Sequence, residues 1–258
     1  MEYFFQIERL TVGYNGKPIV ENIEASIQKG QILCIIGPNG SGKSTILKSI
    51  AKQLEMISGV VSIGGKSIDN VSLRELSRQA AVVLTERPKP ELTTCWDVVA
   101  VGRYPYTGML GILSENDRKK ITEALILVNA HDLKDRYISE ISDGQLQRIM
   151  LARAICQEPK IIVLDEPTSY LDIRYAIEIL DVLHCMAKTY SITVIMSLHE
   201  LNYAKRVSDL VMCVKNGYIR HLDTPDVIFT EKIISHLYDL PVGAYSQLFG
   251  GCLDAHKR

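Results

Sequence analysis

The chain has 258 residues, 30 acidic against 29 basic side chains and 47% hydrophobic residues, the make-up of a soluble globular protein with a sizeable core. So even a charge balance argues against a nucleic-acid-coating role, which calls for a basic excess or stripe. No stretch approaches the ~18 consecutive apolar residues of a membrane span. The opening Met1-Glu2-Tyr3-Phe4-Phe5 lacks a basic region followed by a longer apolar run, so neither a leader nor a span is expected. The six cysteines, at 34, 95, 156, 185, 213 and 252, form no Cys-x-x-Cys pair and lie mostly in apolar runs, which predicts buried, reduced thiols and a cytosolic compartment.

From Tyr3 to Ile36 short runs alternate apolar and polar positions, with turn signals at Asn15-Gly16 and Lys29-Gly30, and read as strands joined by hairpins. Tyr14, at the end of the first run, has by position alone no more than a surface role. The apolar run Ile32-Leu33-Cys34-Ile35-Ile36 leads straight into Gly37-Pro38-Asn39-Gly40-Ser41-Gly42-Lys43-Ser44-Thr45. Strand, glycine-rich loop and helix in this order suit a phosphate chain: backbone N–H groups can wrap it closely only where no Cβ intervenes. Lys43 adds an ammonium for the β- and γ-phosphates, Ser44 a hydroxyl for a magnesium ion, and the helix start its unpaired N–H groups and positive dipole end.

Ile46, Leu47, Ile50, Ala51 and Leu54 then share one helical face. Gly59 to Ile68 reads as a hairpin turning at Gly64-Gly65, Leu73 to Gln79 as a short helix, and Ala80 to Leu84 as an apolar strand ending in Thr85-Glu86-Arg87-Pro88. From Pro88 to about Pro159 the pattern is helical. Ser114 and Asp117 have the spacing of a capping box ahead of Ile121, Ala124, Leu125 and Val128, and a second helix starts after Ser142-Asp143-Gly144. The strand Ile161-Ile162-Val163-Leu164 closes in Asp165-Glu166. A continuously apolar strand implies burial on both faces, as in a parallel sheet, and ligands collect at the carboxyl ends of such strands. Asp165 can enter a magnesium shell and Glu166 can polarise a water.

A helix over Arg174–Thr189 and a strand over Ile192–Met196 follow, ending at Ser197-Leu198-His199-Glu200. His199 is either a satisfied polar residue or a member of the ligand edge; it lacks the second histidine of a zinc-protease helix. Leu210 to His221 reads as a hairpin around Asn216-Gly217, and Thr224-Pro225 as the cap and first turn of a C-terminal helix bearing Ile228, Ile233, Ile234 and Leu237.

Together these motifs resemble the nucleotide-binding subunit of the ATP-binding cassette (ABC) family over nearly the whole chain. Ile141-Ser142-Asp143-Gly144-Gln145, followed by Leu146-Gln147-Arg148, looks like its signature, usually Leu-Ser-Gly-Gly-Gln; Ser169-Tyr170-Leu171-Asp172 resembles its D-loop. His199 stands at the switch histidine and Tyr14 at the aromatic that stacks on adenine. The resemblance implies an α/β fold: a P-loop NTPase core (residues 1–87 and 158–240) with a RecA-like, mainly parallel sheet and an antiparallel β subdomain, an inserted helical subdomain (88–157), and a tail (241–258). It implies ATP and Mg2+ as cofactors and a head-to-tail dimer of two copies. In that dimer the nucleotide is held by Tyr14, Gly37, Asn39, Gly40, Ser41, Gly42, Lys43, Ser44 and Thr45 of one copy and by Ser142, Gly144 and Gln145 of the other. Glu166 is implied as general base, His199 as a γ-phosphate contact and Lys43 as a stabiliser of transition-state charge, with Ser44 and Asp165 on the metal.

The sequence departs from the family at two places. Thr85-Glu86 stands where the family has a glutamine that senses metal and water, so either Glu86 substitutes as a carboxylate ligand to magnesium or the coupling is reached differently. Asp143 brings a carboxylate into the signature, where it is expected to cap the helix. Val101-Gly102-Arg103-Tyr104-Pro105-Tyr106 resembles the branch that energises uptake of iron-siderophore, haem or cobalamin; such a run also suits an ordinary helix end with a tyrosine packed on it. The implied partners are integral membrane permease subunits, indirectly an external substrate-binding protein, and no nucleic acid; the implied place is the cytoplasmic face of the membrane. A soluble cassette acting on nucleic acid or ribosomes fits less well, since the chain has room for neither a second cassette nor a long coiled coil. A non-hydrolysing nucleotide switch is opposed by Glu166.

Overall fold

The computed structural model describes residues 3–84, 92–108, 110–169, 171–241 and 243–245. β1 (Phe5–Tyr14) buries Phe5, Ile7, Leu10 and Val12 and returns through Asn15-Gly16 as β2 (Lys17–Ile27). Both turn residues have positive φ, the Asn-Gly geometry that matches strand twist. β3 (Ile32–Ile36) is buried at every position. The hairpin expected at Lys29-Gly30 is corrected here: β3 leaves β2 and pairs in parallel with strands from the C-terminal half, because a strand apolar on both faces needs cover on both. α1 (Lys43–Ile50) follows, then β4 (Met56–Ile63) and β5 (Lys66–Ser67) about the predicted Gly64-Gly65 turn. The next helix is shorter than its pattern. α2 covers only Leu73–Leu76, capped by the Ser72 hydroxyl, before β6 (Ala80–Val83).

In the helical block, α3 (Cys95–Ala100) starts from an unanticipated Thr94–Asp97 capping box, α4 (Glu115–Leu127) from the anticipated Ser114–Asp117 box, and α5 (Asp143–Cys156) from Ser142. β7 (Ile161–Leu164), α6 (Ile173–Tyr190) and β8 (Thr193–Ser197) match their apolar runs. α7 (Leu201–Val207) has no clear sequence signal: Glu200 precedes it without a side-chain cap. β9 (Leu210–Lys215) and β10 (Tyr218–Asp223) form the Asn216-Gly217 hairpin. The single C-terminal helix is corrected to two, α8 (Pro225–Ile228) and α9 (Glu231–Tyr238). Pro225 starts the first as expected, but the Thr224 side chain makes no cap bond, and Phe229 leaves helical geometry where its ring is buried.

Among the described residues ten strands join one sheet in the order β5-β4-β1-β2-β10-β9-β3-β8-β7-β6. β9-β3-β8-β7-β6 are parallel; β5-β4-β1-β2 and the β9–β10 pair are antiparallel. Alternation along β3 splits the core between its two faces. Leu33 and Ile35 pack with Ile46, Leu47 and Ile50 of α1 and with β1, β2 and β4. Ile32, Cys34 and Ile36 share a cluster with α5, α6 and the helical block. Cys34, Cys156 and Cys213 are free, and burial pushes their thiols up to about 12; Cys95 is pushed to about 11. Cys185 is half-buried, and Cys252 lies outside the described residues. No helix among the described residues is long and apolar enough to cross a membrane.

The Gly102-Arg103 run anchors the helical block. Arg103, 3% exposed, donates Nε to Asp117 at 2.8 Å and Nη1 to the Cys156 carbonyl at 2.7 Å and to Glu158 at 2.9 Å. Its guanidinium lies 4.2 Å from the Tyr106 ring centroid. One side chain thus ties the end of α3 to the start of α4 and the end of α5. Breaking a buried pair strands the remaining charge, so Arg103→Met is expected to cost about 3–5 kcal/mol in urea unfolding. The Ser114 hydroxyl, then Arg103, hold the Asp117 carboxyl below the usual carboxylate range. A depressed carboxylate contributes stability above its unfolded value and loses it as pH falls through the folded one, so the deficit of Arg103→Met narrows at acid pH.

Candidate functional site

The site begins where β3 runs out. Gly37 has φ +154°, and a Cβ there would meet the Val214 carbonyl oxygen at 2.1 Å; Gly42, the N-cap of α1, has φ +101°, and a Cβ there would meet Val20 at 2.3 Å. Only glycine permits both approaches. α1 has no side-chain cap and no acidic residue in its first turn, so its N–H groups and positive end are open to an anion. Lys43, 5% exposed, folds its Nζ back to donate to the Gly37 and Pro38 carbonyls at 2.9 and 3.0 Å. Burial lowers the pKa of this ammonium, with Glu166 and then Asp165 acting against the shift. The Ser41 hydroxyl is buried without a partner.

The opposite wall comes from the ends of β7 and β8. Their parallel register sets Leu164 beside Met196, so Asp165 follows next to Ser197. The Ser197 hydroxyl donates to Asp165 Oδ1 at 2.6 Å and accepts from the Glu166 N–H at 2.9 Å. Glu166 sits at φ +52°, a strained position for a residue with a side chain and a kind that recurs at functional sites. Its Oε2 accepts from the Ser169 hydroxyl at 2.9 Å, and its Oε1 pairs with His199 Nε2. Thr168 donates to Glu200 at 3.1 Å, tying the turn after Glu166 to the residue after His199.

The two walls face each other across an open cleft of about 490 Å³ lined by Asn39, Gly40, Gly42, Lys43, Ser44, Thr45, Glu166 and His199, with Ile19 of β2 at its side. Of the residues singled out in the sequence, most of the phosphate loop, Glu166 and His199 therefore meet, while Gly37, Ser41 and Asp165 lie behind the lining. Tyr14, 44% exposed at the β1–β2 turn, is not among the lining residues. Nor are Ser142, Gly144 and Gln145, which start α5 elsewhere. The cap expected of Asp143 belongs instead to Ser142: its hydroxyl accepts from the Gln145 N–H at 3.2 Å, and Gln145 Oε1 accepts from the Ser142 N–H at 2.9 Å, leaving Asp143 as the first helical residue. Thr85, Glu86 and Tyr170 lie outside the described residues. Ser197 was not anticipated as a site residue, and Ser169 only as part of a loop. A serine closing an apolar strand carries no signal until strand order sets it beside Asp165.

Among the described residues no cluster of three or more His, Cys, Asp or Glu could hold a metal by itself. Ser44 and Asp165 offer hard oxygens instead, the set that magnesium takes when phosphates and water complete its shell. A larger concavity, about 720 Å³, lies between α2–β6 and the end of α3, lined by Leu73, Leu76, Ala80, Val101, Tyr104 and Pro105 among others. Leu73 and Tyr104 are 70% and 69% exposed. Among the described residues its lining is mainly apolar, with Arg74 as its one charged side chain.

A family model described as ABC transporter matches residues 20–169. The chain is 44% identical over 243 residues to an uncharacterized ABC transporter ATP-binding protein of Methanocaldococcus jannaschii, covering 94% of this chain and 84% of that one. It is 34% identical to the iron(3+)-hydroxamate import ATP-binding protein FhuC of Bacillus subtilis, covering 90% of this chain and 87% of that one. A bacterial ABC transporter cassette solved in dimeric form superposes with a TM-score of 0.77 at 25% identity, covering 86% of this chain and 98% of that chain. The phosphate loop, the acidic strand end and these similarities lead to one conclusion: this chain belongs to the ABC transporter family, as an ATPase subunit.

Proposed function

We propose that this chain powers an importer, taking iron-siderophore, haem or cobalamin-type cargo, by binding and hydrolysing ATP between two of its copies. The observation that carries this reading is the meeting of Lys43, Ser44, Glu166 and His199 across one cleft; the cargo class rests on the import relative and the Gly102-Arg103 run. Lys43 leaves the Gly37 and Pro38 carbonyls for the β- and γ-phosphates, whose charge compensates its burial. Glu166, oriented by Ser169 and His199, takes a proton from the attacking water. His199 turns to the γ-phosphate once nucleotide is in place. Ser44 and Asp165 would hold Mg2+, which would supply charge neutralisation at the phosphate oxygens. Tyr14 stacks on adenine. Ser142, Gly144 and Gln145 approach the γ-phosphate from the second copy, using the positive end of α5. Glu86 remains the candidate for sensing the metal.

In this reading the groove at Leu73 and Tyr104 seats a segment of a membrane permease at the cytoplasmic face, and the permease in turn works with an external binding protein. Residues 88–157 act as the helical subdomain and 1–87 with 158–240 as the core. Affinity purification from native membranes in detergent is expected to recover a permease with the wild type and at least tenfold less of it with Tyr104→Asp, since a charge buried in an apolar groove costs several kcal/mol. Recovery only with ribosomes or DNA overturns the importer reading.

A further inference from the structure

The back of the phosphate loop rests on the C-terminal helix, an arrangement that nucleotide contacts do not explain. Gly37 lies so close to β9 that a Cβ would meet the Val214 carbonyl oxygen at 2.1 Å and its carbon at 3.1 Å. The next residue, Lys215, is 7% exposed and points its ammonium away from the cleft, to the last turn of α9: it donates to the His236 carbonyl and, at 2.7 Å, to Asp239 Oδ1. Asp239 closes that helix at φ +53°. A cation at a helix C-terminus satisfies its unpaired carbonyls and its negative dipole end. Between these two tied residues sits Tyr238, whose buried hydroxyl approaches the Gly37 backbone without the full geometry of a hydrogen bond. The Gly37 backbone faces that hydroxyl, and burial pushes the phenol up to about 12, so it stays a neutral O–H.

We propose that Lys215 and Tyr238 are positioning residues for the phosphate loop: Lys215 fixes the end of α9 to β9, and α9 with Val214 holds Gly37 where the loop receives phosphate. Gly37 is a sensitive point for such a brace. Its carbonyl is one of the two that Lys43 releases when nucleotide arrives, and a backbone without Cβ depends on its neighbours to stay in one conformation. Neither Lys215 nor Tyr238 lines the cleft, so both act on affinity through the backbone rather than by touching ATP. This rests on the nucleotide reading above and extends it to a part of the chain that reading leaves idle.

The test is ATP affinity by calorimetry, KM and kcat for hydrolysis, and thermal stability, measured on the full chain with Mg2+ for wild type, Lys215→Met, Lys215→Arg and Tyr238→Phe. Lys215→Met is expected to raise Kd and KM for ATP roughly five- to tenfold, less than a charge-assisted hydrogen bond to the nucleotide itself would give, because the contact reaches ATP only through the backbone. Its kcat should stay within about twofold, since the reacting groups on β7 and β8 are untouched. Lys215→Arg restores most of the affinity, and Tyr238→Phe, which removes the hydroxyl that faces the Gly37 backbone, raises Kd about two- to threefold with no loss of stability. A lowered melting temperature with unchanged Kd and KM in Lys215→Met means a merely structural contact and overturns the inference. Should Lys215→Met not fold, Tyr238→Phe decides: unchanged Kd overturns it. A wild-type chain that binds no ATP overturns the nucleotide reading itself, before any variant is compared.

Discussion

Glu166→Gln is expected to lower ATP turnover by about 10²–10⁴-fold, the range for losing a general base, while ATP still binds. The substitution is close to isosteric. The amide oxygen still accepts from the Ser169 hydroxyl, the amide still pairs with the His199 ring, and the backbone keeps its φ of +52°. What disappears is basicity, so water is no longer deprotonated as it attacks. If ATP holds two copies together, the nucleotide that is not cleaved keeps holding them, and a dimer accumulates with ATP but not with ADP. Steady-state hydrolysis and light scattering behind size exclusion read the two effects separately. A Glu166→Gln chain that turns over ATP at the wild-type rate removes Glu166 from the role of base. One that is inactive yet monomeric with ATP keeps the base and overturns the interfacial site.

Lys43→Ala acts at the other end of the same reaction: affinity for ATP should fall about 10- to 100-fold, as expected for losing charge-assisted hydrogen bonds worth about 1.5–3 kcal/mol, and turnover should become undetectable. Its stability should behave differently from its affinity. The Lys43 ammonium is 5% exposed with carbonyl partners, and burial lowers its pKa despite the pull of Glu166 and Asp165. A cation whose folded pKa is lowered opposes folding while it is charged, and that opposition fades as pH rises through the lowered value. Lys43→Ala is therefore expected to melt no earlier than wild type at neutral pH without nucleotide, and to gain little when ATP is added. A large fall in melting temperature instead marks Lys43 as a structural residue. The contrast with Arg103→Met, which loses stability through an abandoned Asp117, separates a residue kept for its ligand from one kept for the fold.

Legibility followed locality. The run from Gly37 to Thr45 could be read directly because its parts are consecutive: the strand, the tight turn and the helix start are fixed by backbone sterics within a few residues. The Ser114–Asp117 cap was legible for the same reason, as was the placement of Asp165-Glu166 after an apolar strand. The larger misreadings involve choices made at a distance; the cap of α5 is a local one. Lys29-Gly30 is a sound turn, but whether β3 folds back on β2 depends on β8 and β9, more than 150 residues on, offering it better burial. The break between α8 and α9 depends on a pocket for Phe229, and the cap of α5 on Ser142 rather than Asp143 satisfying the Gln145 N–H.

The sequence by itself therefore determined which groups are available: a glycine-rich loop suited to phosphate, hydroxyl and carboxylate oxygens of the kind magnesium takes, a second carboxylate, and a histidine near the ligand edge. Only the tertiary structure decided how these groups are held. It set Ser197 between Asp165 and Glu166, turned His199 onto Glu166, and braced Gly37 against Val214, with Lys215 and α9 behind it. The physical reason is that strand order and register are fixed by mutual burial of both faces across distant segments, and a one-residue change of register sends each of these side chains to the opposite face.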